Sequence, residues 1–247
     1  MSSAPRDRDP GTAHPLAAGP LAAIRRLSAR ETVRARIALA VEIGVLEPGE
    51  RLPGSAEMAA AMGVSEGTVR RALTSLRESG VLHRRRGRTG GTFVAADPTR
   101  GAVESVSAYT RDAGTVRRLI DHRALLERGA AHLAASRRSG GFDELHRLVA
   151  AMDRARTWAE FHECDARFHR ELAARSGLEH ARDEVAAVLA QLHQYFLPYR
   201  MDALRASNDE HRELVAALEA GDADRAADVA GRHVAALKTT MFIGADH

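Results

Sequence analysis

The chain has 247 residues, 45% hydrophobic and 28% charged, with a formal net charge of +3 and one cysteine, Cys164. Such a composition suits an ordinary soluble protein with room for two domains, each with its own core. It excludes an internal disulfide framework. No apolar run approaches the roughly 18 to 20 residues of a membrane span, and no signal-peptide core opens the chain, so a cytoplasmic location is expected. The charge is uneven: residues 25–95 carry 13 Arg against 7 Glu, a balance of +6, and residues 96–247 carry 21 Arg and Lys against 24 Asp and Glu, a balance of −3. The first segment suits a polyanion and the second does not.

Residues 1–24, rich in Ala, Gly, Pro and Ser without periodicity, predict a disordered tail. A helix is expected from about Ser28 to Gly44, with Val33, Ile37, Ala40 and Val41 on one face, followed by a turn over Leu46 to Pro53. Ser55 to Met62 has apolar residues at helical spacing; Gly63 and Val64 interrupt it, and Ser65 is placed to cap a second helix. Val69, Ala72, Leu73 and Leu76 share the inner face of that helix, which turns Glu66, Gly67, Thr68, Arg70, Arg71 and Ser75 outward, toward a major groove. Gly80 stops it, a strand begins at Val81 and Leu82, and a basic, Gly-rich loop through Arg84, Arg85, Arg86, Arg88 and Gly91 leads to a second strand, Thr92 to Ala95. Residues 25–95 therefore predict a winged helix-turn-helix. An arginine run alone fits a solvated loop equally well, and the helix pair before it is what favours DNA.

Residues 96–102 have linker composition, and residues 103–243 read as helix throughout. Candidate helices cover about 103 to 112, 114 to 137, 142 to 154, 157 to 175, 179 to 197, 202 to 219 and 222 to 240. Thr157-x-x-Glu160 and Ser207-x-x-Glu210 offer capping boxes, and the second alternatively starts a helix within the 202 to 219 span. Short connections favour antiparallel neighbours, hence an all-α bundle of six or seven helices.

Inside that bundle the informative residues are polar ones on apolar stripes, because burial of such a group is costly without a partner. Asp165 and His169 share a face with Phe161, Phe168 and Leu172; His211 shares one with Leu214, Val215 and Leu218; His233 shares one with Ala226, Val229, Ala230 and Leu237. One Asp and three His would hold a divalent first-row ion with positions left open for water or ligand. The alternative is three unrelated core histidines, each satisfied locally. His162 is expected to be exposed, and His122 and His193 are expected nearer the cavity. Arg123 lies among core-facing Val116, Leu119, Ile120, Leu126 and Ala130, where it suits either a carboxylate ligand or a salt bridge with Glu127.

On these residues the chain resembles the GntR superfamily of bacterial transcription regulators, in the FadR-like branch with a helical FCD effector domain. The matching runs are Leu46-x-Pro48-Gly49-x-Arg51-Leu52-Pro53, Met62-Gly63-Val64-Ser65-x-x-Thr68-Val69-Arg70-x-Ala72-Leu73 and Gly91-Thr92-Phe93-Val94, then Arg123-x-x-x-Glu127, Asp165-x-x-Phe168-His169, His211 and His233. The resemblance implies a homodimer that binds a two-fold symmetric operator, as a repressor. It implies DNA contacts from Arg51, Ser65, Glu66, Thr68, Arg70, Arg71, Arg84, Arg85, Arg86, Arg88 and Gly91. It also implies metal ligation by Asp165, His169, His211 and His233, with zinc favoured over manganese, nickel or iron, and an organic-acid effector reached by Arg123. The chain departs from the family pattern at Ser55 and Ala56, where an acidic residue and Arg are common, and at Glu66, where Arg is common. A carboxylate facing bases accepts from cytosine and repels phosphate, which predicts an altered operator. The rival reading is a metal-dependent hydrolase with an appended DNA-binding domain, against which stands the lack of a nucleophile or base motif beside the ligands.

Overall fold

The computed structural model describes residues 28–42, 44–87, 90–101, 113–137, 141–193, 195 and 201–240. The tail expected at 1–24, the wing residue Arg88 and the helix expected at 103 to 112 lie outside the described residues.

Helix α1 (Ala29–Glu42) buries Val33, Ile37, Ala40 and Val41 against the helix pair. Its start is a reciprocal cap: Ser28 Oγ accepts from the Glu31 amide at 3.2 Å, and the Glu31 carboxylate accepts from the Ser28 amide at 3.0 Å. Helix α2 (Ser55–Met62) ends at Gly63, whose φ of 64° closes the helix in the left-handed region. Ser65 then caps α3 (Glu66–Glu78), its Oγ accepting from the Thr68 amide at 3.2 Å. Val69, Ala72, Leu73 and Leu76 are buried and Arg70 and Arg71 exposed, so the second helix presents the face its apolar spacing predicts. Strands β1 (Leu82–Arg85) and β2 (Gly91–Val94) form an antiparallel hairpin with Leu82 opposite Val94 and Arg85 opposite Gly91. The second strand begins one residue earlier than the β-branched run suggested, because Gly91 completes the ladder with Arg85.

The bundle follows with α4 (Ala113–Ser136), α5 (Asp143–Arg154), α6 (Trp158–Arg175), α7 (Ala181–His193), α8 (Met201–Ala220) and α9 (Ala223–Thr240). Thr157 caps α6, accepting from the Glu160 amide at 3.2 Å, while the Glu160 side chain reaches the Arg156 amide rather than that of Thr157. Ser207 is inside α8 and caps nothing. Helices α4 and α9 lie side by side, α5 packs on α6 and α8, and α6 and α7 complete the layer against α4. The molecule is thus mainly α, a winged helix-turn-helix followed by a helical bundle.

The two parts do not keep separate cores. Val116, Ile120, Trp158, Val188, Leu192 and Val234 belong to the same buried apolar cluster as Val33, Ile37, Met58 and Leu76. Trp158, at the start of α6, meets Met58, Ala61 and Met62 of α2 and the buried Arg36 of α1. Its large ring has no apolar place on a bundle surface, and α2 covers it.

Candidate DNA interface and metal centre

Several basic residues of the first part share one cleft. Arg84, Arg85 and Arg86 with Gly87, Gly90 and Gly91 line a cleft of about 850 Å³, to which Arg77 of α3 also contributes. The cleft depends on a residue without a side chain: a Cβ on Gly90 would fall 2.5 Å from the Arg85 carbonyl oxygen and 2.7 Å from that of Gly87. Arg85 lies over the Phe93 ring with its guanidinium carbon 5.1 Å from the centroid. Arg51 crosses Gly91, where a Cβ would meet its Nε at 2.9 Å. On α3, Arg71 reaches the Thr68 hydroxyl at 3.4 Å, and Thr68 Oγ1 sits 2.8 Å from Ser65 Oγ. Glu66 is held rather than free: its Oε1 accepts from Ser55 Oγ at 2.7 Å and its Oε2 pairs with Arg70 Nη2 at 3.3 Å. Arg77 escaped the sequence reading, although it follows Arg70 by two helical turns and so shares its side of α3.

Within the bundle, α6 supplies Asp165 and His169, α8 His211 and α9 His233, and one ligand atom from each lies within 4.8 Å of the others. His211 Nε2 is 3.4 Å from His169 Nε2 and 3.2 Å from His233 Nε2, and Asp165 Oδ1 is 3.5 Å from both His169 Nε2 and His211 Nε2. Nitrogen ligands at 2.0 to 2.1 Å around a tetrahedral ion stand about 3.3 Å apart. The four residues therefore fit a divalent cation.

Partners outside this set fix which nitrogens face inward. The buried Asn208 donates its amide nitrogen to the Val149 carbonyl at 3.0 Å and to Asp153 Oδ1 at 2.9 Å. That orientation turns Asn208 Oδ1 to His211 Nδ1 at 3.2 Å, so the proton of His211 sits on Nδ1 and its Nε2 carries a lone pair. Glu210 Oε2 accepts from His233 Nδ1 at 2.7 Å in the same way. Glu127 Oε2 lies 2.8 Å from His169 Nδ1, although off hydrogen-bond alignment. Two imidazole lone pairs, the Nε2 of His169 and a carboxylate oxygen thus converge in a buried space, an arrangement that a cation or proton among them would relieve. The titration directions agree. Burial would lower the pKa of His169, but the Glu127 and Asp165 carboxylates override it and raise it. Burial, with His233 beside it, pushes His211 well down. Burial opposes ionisation of Glu127, yet Arg123 and His169 hold it down at about 2.

Arg123 is buried and forms the salt bridge with Glu127 that the sequence offered as one of its two readings. Its Nε donates to Glu127 Oε1 at 2.6 Å, while its Nη2 is buried without a partner. Two of the weaker histidine expectations need correction. His162 is half-buried, not exposed: its Nε2 is 2.8 Å from His193 Nδ1 and its ring stacks on Trp158 at 4.8 Å, because the covered indole leaves a flat apolar face for an uncharged imidazole. His122 points to solvent, since it lies on the opposite side of α4 from Arg123 and Ile120.

The family model described as bacterial regulatory proteins, gntR family, matches residues 23–94, and the FCD domain model matches residues 118–236. This chain is a GntR-family regulator of the FCD branch. It is 32% identical to RmpR of Mycobacterium gastri, a candidate helix-turn-helix transcription regulator, over 81% of this chain and 75% of that one. It is 26% identical to a candidate regulatory protein of the L-lactate dehydrogenase operon of Escherichia coli K12, over 88% of this chain and 87% of the relative. A solved GntR protein of Streptococcus agalactiae aligns over 86% of this chain and 99% of its own, at 24% identity and a TM-score of 0.40. The GntR-family regulator is DNA-binding and not an enzyme, and the hydrolase reading finds no support. No helix among the described residues is long and apolar enough to cross a membrane.

Proposed function

We propose that this regulator is a cytoplasmic homodimeric repressor whose hold on a two-fold symmetric operator is set by a small organic acid bound at a metal site in the bundle. The observation that carries the reading is the convergence of the His169, His211 and His233 Nε2 atoms on Asp165, each imidazole faced at Nδ1 by Glu127, Asn208 or Glu210. Three nitrogens and one carboxylate favour zinc, and manganese, nickel or iron suit the same donors. A bound ion supplies a Lewis-acidic anchor for an anionic oxygen. The unpartnered Nη2 of Arg123 supplies the second, charge-assisted contact for a carboxylate. The relative associated with the L-lactate dehydrogenase operon makes 2-hydroxy acids the first class to examine.

In this reading residues 25–95 contact DNA, 96–102 link, and 103–243 bind effector and dimerise. Arg51, Arg70 and Arg71 face the groove with Ser65, Glu66 and Thr68, and Arg84, Arg85, Arg86, Arg88 and Gly91 follow the backbone. The test is a fluorescence titration of a duplex selected by the protein from a random library, in the presence of a panel of small carboxylates. At least one acid should weaken binding by wild type and leave the Arg123→Ala variant unaffected. If none changes binding by wild type, the organic-acid reading fails.

A further inference from the structure

Ser55 and Glu66, two of the positions at which this chain departs from its family's pattern, meet in space. Ser55 opens α2 and Glu66 opens α3, and the 2.7 Å hydrogen bond between them ties the two helices of the helix-turn-helix across the turn. The second oxygen of Glu66 holds Arg70 one turn further along α3, with side-chain exposures of 41% for Glu66 and 65% for Arg70. A carboxylate in the first helical turn is also favoured by the helix dipole, so the anchor is stable where it stands. Arg70 has five N–H donors and engages one nitrogen with Glu66, which leaves a fork of donors for a base edge. A long side chain so held loses less rotamer freedom when it docks.

We propose that Glu66 is a positioning residue for Arg70: anchored on α2 through Ser55, it aims the guanidinium, and the base preference it controls is that of Arg70. The proposal rests on the DNA-reading function of α3. It replaces the expectation that the Glu66 carboxylate itself accepts from a cytosine. A role limited to capping α3 or joining the helices would alter stability alone, whereas aiming Arg70 alters which base is preferred.

The experiment selects duplexes from a randomised library with the full chain and with Glu66→Gln, Ser55→Ala, Arg70→Ala and the Glu66→Gln/Arg70→Ala pair, with melting curves to establish folding. Glutamine still accepts from Ser55 but removes the ion pair. Glu66→Gln should relax preference at the base pairs that Arg70→Ala relaxes, by about fivefold or more, and add nothing in the double variant. Ser55→Ala should relax the same positions to a smaller degree. Altered preference at a base pair that Arg70→Ala leaves intact would mean that the carboxylate reads DNA directly, and unchanged preference everywhere would leave only a structural cap; either result overturns the proposal. Should the wild type enrich no sequence, the DNA-reading function of α3 fails and the proposal with it.

Discussion

Asn208 touches no proposed ligand atom, yet its amide decides which nitrogen of His211 is free, because Val149 and Asp153 take both of its N–H donors. Asn208→Ala should therefore weaken metal affinity about 10- to 100-fold while all four ligands remain, measurable by competition with a chromophoric chelator. Unchanged affinity would show that His211 is oriented by packing alone. A second residue-scale prediction concerns acid. Burial first, and then the charges of His193, Arg123 and Arg36, hold the His162 pKa down at about 4 against an ordinary 6.5, despite the opposing pull of Asp165. A base with a depressed folded pKa takes its proton more readily when unfolded, so the stability it contributes is complete above about 6.5 and is lost as pH falls toward 4. His162→Phe, which keeps a ring on Trp158, should flatten the fall in melting temperature of the metal-free protein over that window by roughly 5 to 10 °C. An identical fall in both proteins would contradict it. The clustering of Asp165, His169, His211 and His233 was legible in the sequence because each interrupts an apolar stripe. Glu127 and Glu210 were not legible as orienting groups, since each faces a histidine on another helix and only packing brings them together. Asn208 was within reach, three residues before His211 on the same helix.

At the scale of elements, α3 and the hairpin offer two kinds of contact. Arg70 stands on the outer face of α3, and Arg85 lies in the β1 arm of the cleft with its guanidinium parked over Phe93. Arg70→Ala should cost about 1 to 3 kcal/mol against the selected duplex and little against random DNA. Arg85→Ala should weaken both alike and reduce the slope of log affinity against log salt by about one. Binding titrations at several salt concentrations separate these outcomes, and wild-type affinity in Arg70→Ala would remove α3 from the groove. The limits of α2 and the start of α3 were readable to the residue, because Gly63 and Ser65 act through local backbone chemistry, whereas α3 ends at Glu78, ahead of the Gly80 that was expected to stop it. The Ser207 cap signal was misleading, because the apolar register of α8 continues through it and burial of Asn208 and His211 outweighs a local cap.

At the scale of the whole molecule, the continuous core matters most. Trp158 heads the helix that carries Asp165 and His169, and it is buried against α2 of the DNA-binding part. The sequence predicted two cores because the linker composition is plain and the covering of one tryptophan by another part of the chain leaves no periodic signature. A small reading head gains from being doubled, so light scattering at micromolar concentration should return a dimer. A monomer with full operator affinity would contradict that expectation. Whether a metal holds the bundle site is read by elemental analysis of protein purified without chelator or a nickel column. About one equivalent of a single transition metal per chain is expected, lost in His211→Ala together with part of the thermal stability. Less than about a tenth of an equivalent in the wild type, with melting unchanged when zinc, manganese or nickel is added, would contradict it and leave Asp165, His169, His211 and His233 as a buried polar cluster without an ion.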